Sequence, residues 1–311
     1  MSRVQCIGTV VIALTLARAA LADDKRVLPA GGEKGSPPRV LRIGAVAYGP
    51  SAVTVFESLR RYFARTDLPV DYVLYSNYDS LGDALKKGHV DIAWNTPLAH
   101  ARYHLSCDGK SQTLVMRDVD CDFRCKLLVR KESGIKGVSG LEGKMLALGS
   151  REAAEATVLP LHYLKGEGVK LDKVNVLNLD EELDLRGDPC SSPRHVLKAL
   201  RAGRADAGIV DERLWDELAA RKAPEVEGLL AVWTSPSFSH CVFTAAKDFD
   251  KTRAARFTQL MLAMDGKDER TAEILRLESA SKWVAGSPDG FETLIEALRA
   301  EKAKRTAGVR P

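Results

Sequence analysis

Four places in this 311-residue chain put polar side chains where a strand-like run gives way to a helical one. They are Tyr48-Gly49-Pro50-Ser51, Asn95-Thr96-Pro97, Ser150-Arg151 and Asp211-Glu212. Ser51, Thr96, Ser150 and Asp211 each directly precede a helical run, so each fits an N-cap whose side chain accepts from a free backbone N–H. Such ends also suit anions, because the leading N–H groups are unpaired and the helix dipole is positive there. Capping and ligand binding are compatible at Ser150 and at Thr96, which has Asn95 beside it. Tyr48 is placed either to stack on or hydrogen-bond a ligand, or to serve the core or a hinge. Arg151 can grip an oxyanion with two prongs, or pair with Glu155 one turn on. Asp211 would repel a fully ionised anion unless it takes a proton or meets a ligand amine; its other reading is an exposed cap. His240, after Phe238-Ser239, either donates to an oxyanion or packs at a hinge.

Metal and catalytic patterns are incomplete. His100 and His104 have i,i+4 spacing on a helical run, with Cys107 on the next turn, a three-ligand set that would suit zinc or copper. A zincin would need Glu after the first histidine, where this chain has Ala101. Gly166-Glu167-Gly168 lacks the third glycine of a dinucleotide fingerprint, and neither G-x-S-x-G nor a P-loop occurs. No cofactor is expected. An enzyme using Asp211 or His240 as acid or base, and a metal or redox-partner protein, are the alternatives to a binding protein.

The elements that must position these residues occur twice. Leu85-Lys86-Lys87-Gly88-His89-Val90-Asp91 and Leu200-Arg201-Ala202-Gly203-Arg204-Ala205-Asp206 both read as a helix closed by glycine, then an aspartate, then a buried strand. In the first copy the predicted strands are 40–48, 70–75 and 90–94, with helices over 52–64 and 80–87. In the second they are 144–149, 173–179 and 205–210, with helices over 152–165 and 194–202. Two β-α-β-α-β units imply an α/β protein of two lobes, each a mostly parallel sheet flanked by helices. Strand-like pairs at 112–116 with 125–130 and 229–234 with 241–246 are natural crossings between lobes. The tail predicts helices over 251–264, 270–279 and 291–302, packing back on the first lobe. The expected divisions are residues 40–118 plus 240–311 for lobe 1 and 119–239 for lobe 2.

Length alone favours two lobes. The net charge of +4 is too small for this length to suggest a nucleic-acid binder. Arg3, an apolar run over 7–17 and Ala20-Leu21-Ala22 make a secretory signal peptide, with cleavage expected after Ala22 and a flexible leader over 23–39. Cleavage removes Arg3 and Arg18 and no acid, which lowers the charge to +2. Five cysteines remain: Cys107, Cys121, Cys125, Cys190 and Cys241. An oxidising compartment allows disulfides, and the odd count leaves a free thiol. Cys121 and Cys125 in one extended strand would sit about 13 Å apart, too far to bond. Cys107 with Cys121 or Cys125 is the more reasonable pair, and Cys241 reads as a buried thiol.

The order of elements, together with LKKGHVDIAWNTP, LEGKMLALGS, LRAGRADAGIVDERLW and FSHCVFTA, resembles the phosphonate/phosphite/phosphate-type family of periplasmic solute-binding proteins. The resemblance covers about residues 40–280 and implies the two-lobed type II binding-protein architecture. It also implies a small oxyanion ligand held between the lobes, delivery to the membrane subunits of an ABC importer, a periplasmic location and no catalysis. A monomer is expected. The implied ligand group is Tyr48, Ser51, Asn95, Thr96, Ser150, Arg151, Asp211 and His240. The family's phosphonate binders carry Ser-Thr-Ser-Gly where this chain has Ser150-Arg151-Glu152-Ala153, so hydroxyls are lost and an arginine is gained.

Overall fold

The structure is a computed structural model that describes residues 39–306 apart from Tyr48, Pro50, Glu152 and 180–191. The signal peptide, the leader, Cys190 and the expected role of Tyr48 therefore lie outside the described residues. The first sheet forms around β1 (Leu41–Val46), β2 (Val70–Tyr75) and β3 (Ile92–Asn95), which run parallel. β10 (Val242–Ala245) runs antiparallel to β3, β4 (Gln112–Arg117) pairs with β10, and β11 (Trp283–Ala285) closes the edge. The second sheet repeats the plan. β6 (Met145–Leu148), β7 (Asn175–Asn178) and β8 (Ala207–Asp211) are parallel, the reversed strand β5 (Cys125–Arg130) follows β8, and β9 (Leu229–Thr234) lies outside it. The orders β2-β1-β3-β10-β4 and β7-β6-β8-β5-β9 match position for position. β10 and β5, the reversed strands beside β3 and β8, are the ones entering from the other sheet. The chain thus crosses twice, between β4 and β5 and between β9 and β10. Phe123 and Phe238 pair as an antiparallel bridge where the crossings meet.

Each lobe is an amphipathic layer over a buried sheet. On one face of the first sheet lie α1 (Ser51–Phe63), α7 (Lys251–Leu262) and α8 (Glu269–Leu277), contributing Phe56, Phe63, Phe257 and Ile274 to the core. On the other lie α2 (Tyr78–Lys86) and α3 (Pro97–Ser106). The second sheet carries α5 (Ser192–Arg201) and α6 (Glu212–Ala220) on one face. On the other lies α4 (Leu159–Gly166), preceded by a π-helical turn over Ala154–Val158.

The repeated aspartates explain themselves in this frame. Gly88 and Gly203 adopt φ of 70° and 69°, and the residue after each donates its N–H back into its helix. Asp91 then accepts from the Arg42 N–H at 2.8 Å and Asp206 from the Met145 N–H at 3.0 Å. Each aspartate therefore fastens the start of the strand that opens its own β-α-β-α-β repeat, β1 or β6. The motif is structural.

In the tail, α7 and α8 pack back on the first lobe as expected, while the last helix reaches the second lobe as well. α9 (Glu292–Thr306) lies against both α3 and α4, and Leu294, Ile295 and Phe291 share one buried cluster with Leu98 and Ala101 of α3 and with Leu146 and Leu159 of the second lobe. Among the described residues no helix is long and apolar enough to cross a membrane.

Candidate functional site

The carboxyl ends of β3, β6 and β8 end in the residues singled out by sequence. Thr96 caps α3, its Oγ1 accepting from the Ala99 N–H at 3.3 Å, with Pro97 in the first helical position. Asn95 is 2% exposed and stands opposite Val242 in the β3–β10 ladder, two residues from His240. Ser51 is exposed and is the first residue of α1 rather than the residue before it. Ser150 is 1% exposed, and its carbonyl accepts from the Ala153 N–H and from Thr157 Oγ1. It does not occupy the N-cap position expected of it. The helical run begins three residues later behind Ala153, which offers no capping side chain. Arg151 is exposed. Asp211 does cap α6, accepting from the Leu214 N–H at 2.7 Å, but it is half-buried and so is not the exposed cap of the bland reading.

Between these ends, the crossing segments hold a buried chain of charges. His240 Nδ1 donates to Asp120 Oδ1 at 3.2 Å, and its Nε2 lies 3.5 Å from Glu155 Oε2. Cys241 Sγ is 3.1 Å from the same Nδ1, and the imidazole stacks on Phe123 at 4.4 Å. Arg117 grips both oxygens of Asp120, at 2.6 and 2.9 Å, and reaches Glu278 at 3.3 Å. Burial alone would lower the His240 pKa, but Cys241, Glu155 and Asp120 raise it well above its ordinary value, so the ring is an imidazolium at neutral pH. Burial opposes ionisation of Asp120, yet His240 and Arg117 hold its carboxyl down to about 2. Glu155 is likewise lowered against burial by His240. Asp211 moves the other way, raised by burial and by the nearby Glu155 charge.

The structure therefore brings Asp211 and His240 together with Glu155 on the run after Ser150, and adds Asp120 and Arg117. Sequence reading missed Asp120 and Arg117 altogether and knew Glu155 only as a helical neighbour of Arg151. The signal available was thin: a lone aspartate and arginine beside a predicted crossing.

Asp120, His240 and Cys241 present one ligand atom each within 4.8 Å of one another. In the structure these atoms belong to an ion-paired network, with Arg117 and His240 both bonded to Asp120. The other metal candidate does not assemble. His100 Nδ1 is hydrogen-bonded to Thr244 Oγ1 and His104 Nδ1 to Ser111 Oγ, each at 2.8 Å. Burial, aided by His104, drives the His100 pKa down to about 3. Cys107 Sγ donates to the His104 carbonyl. Cys107, Cys121, Cys125 and Cys241 are all free thiols, so the expected Cys107 disulfide to Cys121 or Cys125 is not formed. Burial pushes the Cys125 thiol up to about 12, which makes it inert.

Two matched sheets, two crossings and a site of strand ends facing the crossings define a two-lobed type II binding protein. Residues 45–291 match the family described as "ABC transporter, phosphonate, periplasmic substrate-binding protein", and the chain belongs to that family. A curated relative, the probable ABC transporter phosphite binding protein PhnD1 of Prochlorococcus marinus (strain MIT 9301), is 20% identical over 84% of this chain and 89% of its own length. The structure of PhnD1 from Prochlorococcus marinus (MIT 9301) in complex with methylphosphonate superposes with a TM-score of 0.64 at 18% identity, covering 85% of this chain and 99% of that one. The periplasmic aliphatic sulphonate binding protein SsuA of Escherichia coli gives 0.55 at 14% identity, covering 88% and 89%. These likenesses confirm the α/β two-sheet architecture.

Proposed function

We propose that the mature protein is a monomeric, non-catalytic receptor that captures one small oxyanion of the phosphonate, phosphite or phosphate type between its lobes. It then presents that ligand to an ABC importer. Residues 1–22 direct export to the periplasm and are cleaved off after Ala22, and 23–39 serve as a leader. The working lobes are 40–118 with 240–311, and 119–239. The small net charge argues against nucleic acid as a partner.

The observation that carries this reading is the convergence of β6 and β8 ends on His240, at the crossings between two sheets. In such folds ligands sit outside the carboxyl ends of strands. Thr96 and Asn95 supply polar groups from the first lobe and Ser150 and Arg151 from the second. Asp211 stands at the end of β8 with its carboxyl raised by burial, which eases the repulsion of an anion there. His240 acts as a positioning group, since its nitrogens already face Asp120 and Glu155.

Titration calorimetry of the full chain with methylphosphonate, phosphite, phosphate and methanesulfonate tests this. One class binds in the micromolar range or tighter, and Thr96→Ala with Ser150→Ala weakens it at least tenfold while the variant remains folded. Unchanged affinity in that double variant would remove the site.

A further inference from the structure

We propose that Glu155 is the residue by which this cleft reads ligand charge: its carboxylate is a resident anion at the oxyanion seat, so singly charged oxyanions are favoured over doubly charged ones. The inference rests on the oxyanion reading above and adds a discriminating residue to it.

Glu155 lies in the first turn of the helical run that follows β6, where unpaired N–H groups would otherwise meet an incoming anion. No side chain caps that run at Ala153. The Glu155 carboxylate instead accepts from its own backbone N–H and lies 3.5 Å from His240 Nε2, with 15% of the side chain exposed. The protein has thus placed one of its own carboxylates at the end of the helix where a bound oxyanion's charge belongs.

The imidazole beside it is shared with a second carboxylate: His240 stands between Glu155 and Asp120. Arg117 is spent on Asp120 and Glu278. Asp211, from the end of β8, and the Cys125 thiol, from the start of β5, also feel the Glu155 charge, and both are shifted toward their neutral, protonated forms. A second negative charge on the ligand therefore meets a seat already carrying one. A monoprotonated phosphonate or a sulfonate avoids that repulsion, and the ligand's remaining proton has a carboxylate to bond.

The experiment compares two ligands of the same shape class at one mildly alkaline pH, methylphosphonate as the dianion and methanesulfonate as the monoanion, by calorimetry on the full chain. Glu155→Gln raises methylphosphonate affinity about tenfold and leaves methanesulfonate within about threefold, while Glu155→Asp keeps the wild-type ratio; a tenfold change corresponds to about 1.4 kcal/mol. Glu155→Ala reads the same ratio if the glutamine variant does not fold. A role in stability alone would lower Tm without moving the ratio, and that result overturns the inference. So does equal weakening of both ligands, which would make Glu155 a direct ligand contact. Binding intact with an unmoved ratio removes this inference alone. Failure of both anions to bind wild type and variants removes the oxyanion reading and this inference with it.

Discussion

At the level of single residues, three ionisable groups give opposite pH dependences. Asp120 is held at about 2 against an ordinary 3.8, so its ionised form stabilises the fold above the ordinary value, and that contribution is lost as pH falls through about 2. The shift is worth about 2 kcal/mol. His100, neutral among Thr244, His104 and Phe291, has its pKa lowered to about 3, so the unfolded chain binds its proton first. Stability from His100 is complete above its ordinary 6.5 and is lost as pH falls from there toward about 3. His240 has the opposite sign. Its raised pKa gives stability that is complete below the ordinary value and is lost as pH climbs through the folded one. Urea unfolding across pH therefore shows a dome, and His240→Gln flattens its alkaline side while leaving the acid side sloped. Asp120→Asn costs about 3 kcal/mol, because it leaves Arg117 and His240 in a buried site without their shared carboxylate. Equal unfolding free energies for wild type and Asp120→Asn at neutral pH would show that the charge chain is not structural.

At the level of elements, the twin aspartates make a symmetrical prediction. Asp91→Ala and Asp206→Ala each strip an acceptor from a backbone N–H in the strand that opens their own repeat, at Arg42 and Met145, and each costs about 1–3 kcal/mol by urea unfolding. A loss in one lobe only would mean that the repeat is one of sequence rather than of mechanics. These elements were legible because helix period, closing glycine and aspartate recur in order, and the lobe plan followed from that order. β11 was not, since Trp283–Ala285 is too short to alternate and takes its place only by pairing with β4. The helix after Ser150 was read as starting at 152, whereas it begins behind Ala153 with a π turn anchored by Thr157 on the Gly149 and Ser150 carbonyls. The strand ends were readable, since element order alone places Thr96, Ser150 and Asp211 at or just beyond the ends of β3, β6 and β8. The Asp120–His240–Glu155 chain was not: its members come from two crossings and a helix start, 120 residues apart in the case of Asp120 and His240, and meet only when the lobes are assembled.

At the level of the whole molecule, the two sheets are not independent folding units, because one apolar cluster runs through both. Phe291, fully buried, packs its ring at a tilt against His100 of α3, centroids 4.4 Å apart, while Leu294 and Ile295 of α9 join Leu159 and Leu164 of α4 in the same cluster. Removing α9's anchor should therefore be felt in both lobes, in contrast to a hinge protein whose lobes share only their crossings. The tryptophans provide separate reporters: Trp94 and Trp283 pack with Phe243 in the first sheet, and Trp233 lies on β9 in the second. Denaturation followed by fluorescence of variants retaining only Trp283 or only Trp233 gives coincident transitions, as cooperative unfolding requires. Phe291→Ala lowers both midpoints together, by about 3–5 kcal/mol of stability. Two separated transitions, or a Phe291→Ala effect confined to the Trp283 reporter, would show that α9 belongs to the first lobe alone. Coincident transitions would mean that the two sheets unfold as one unit through the cluster they share.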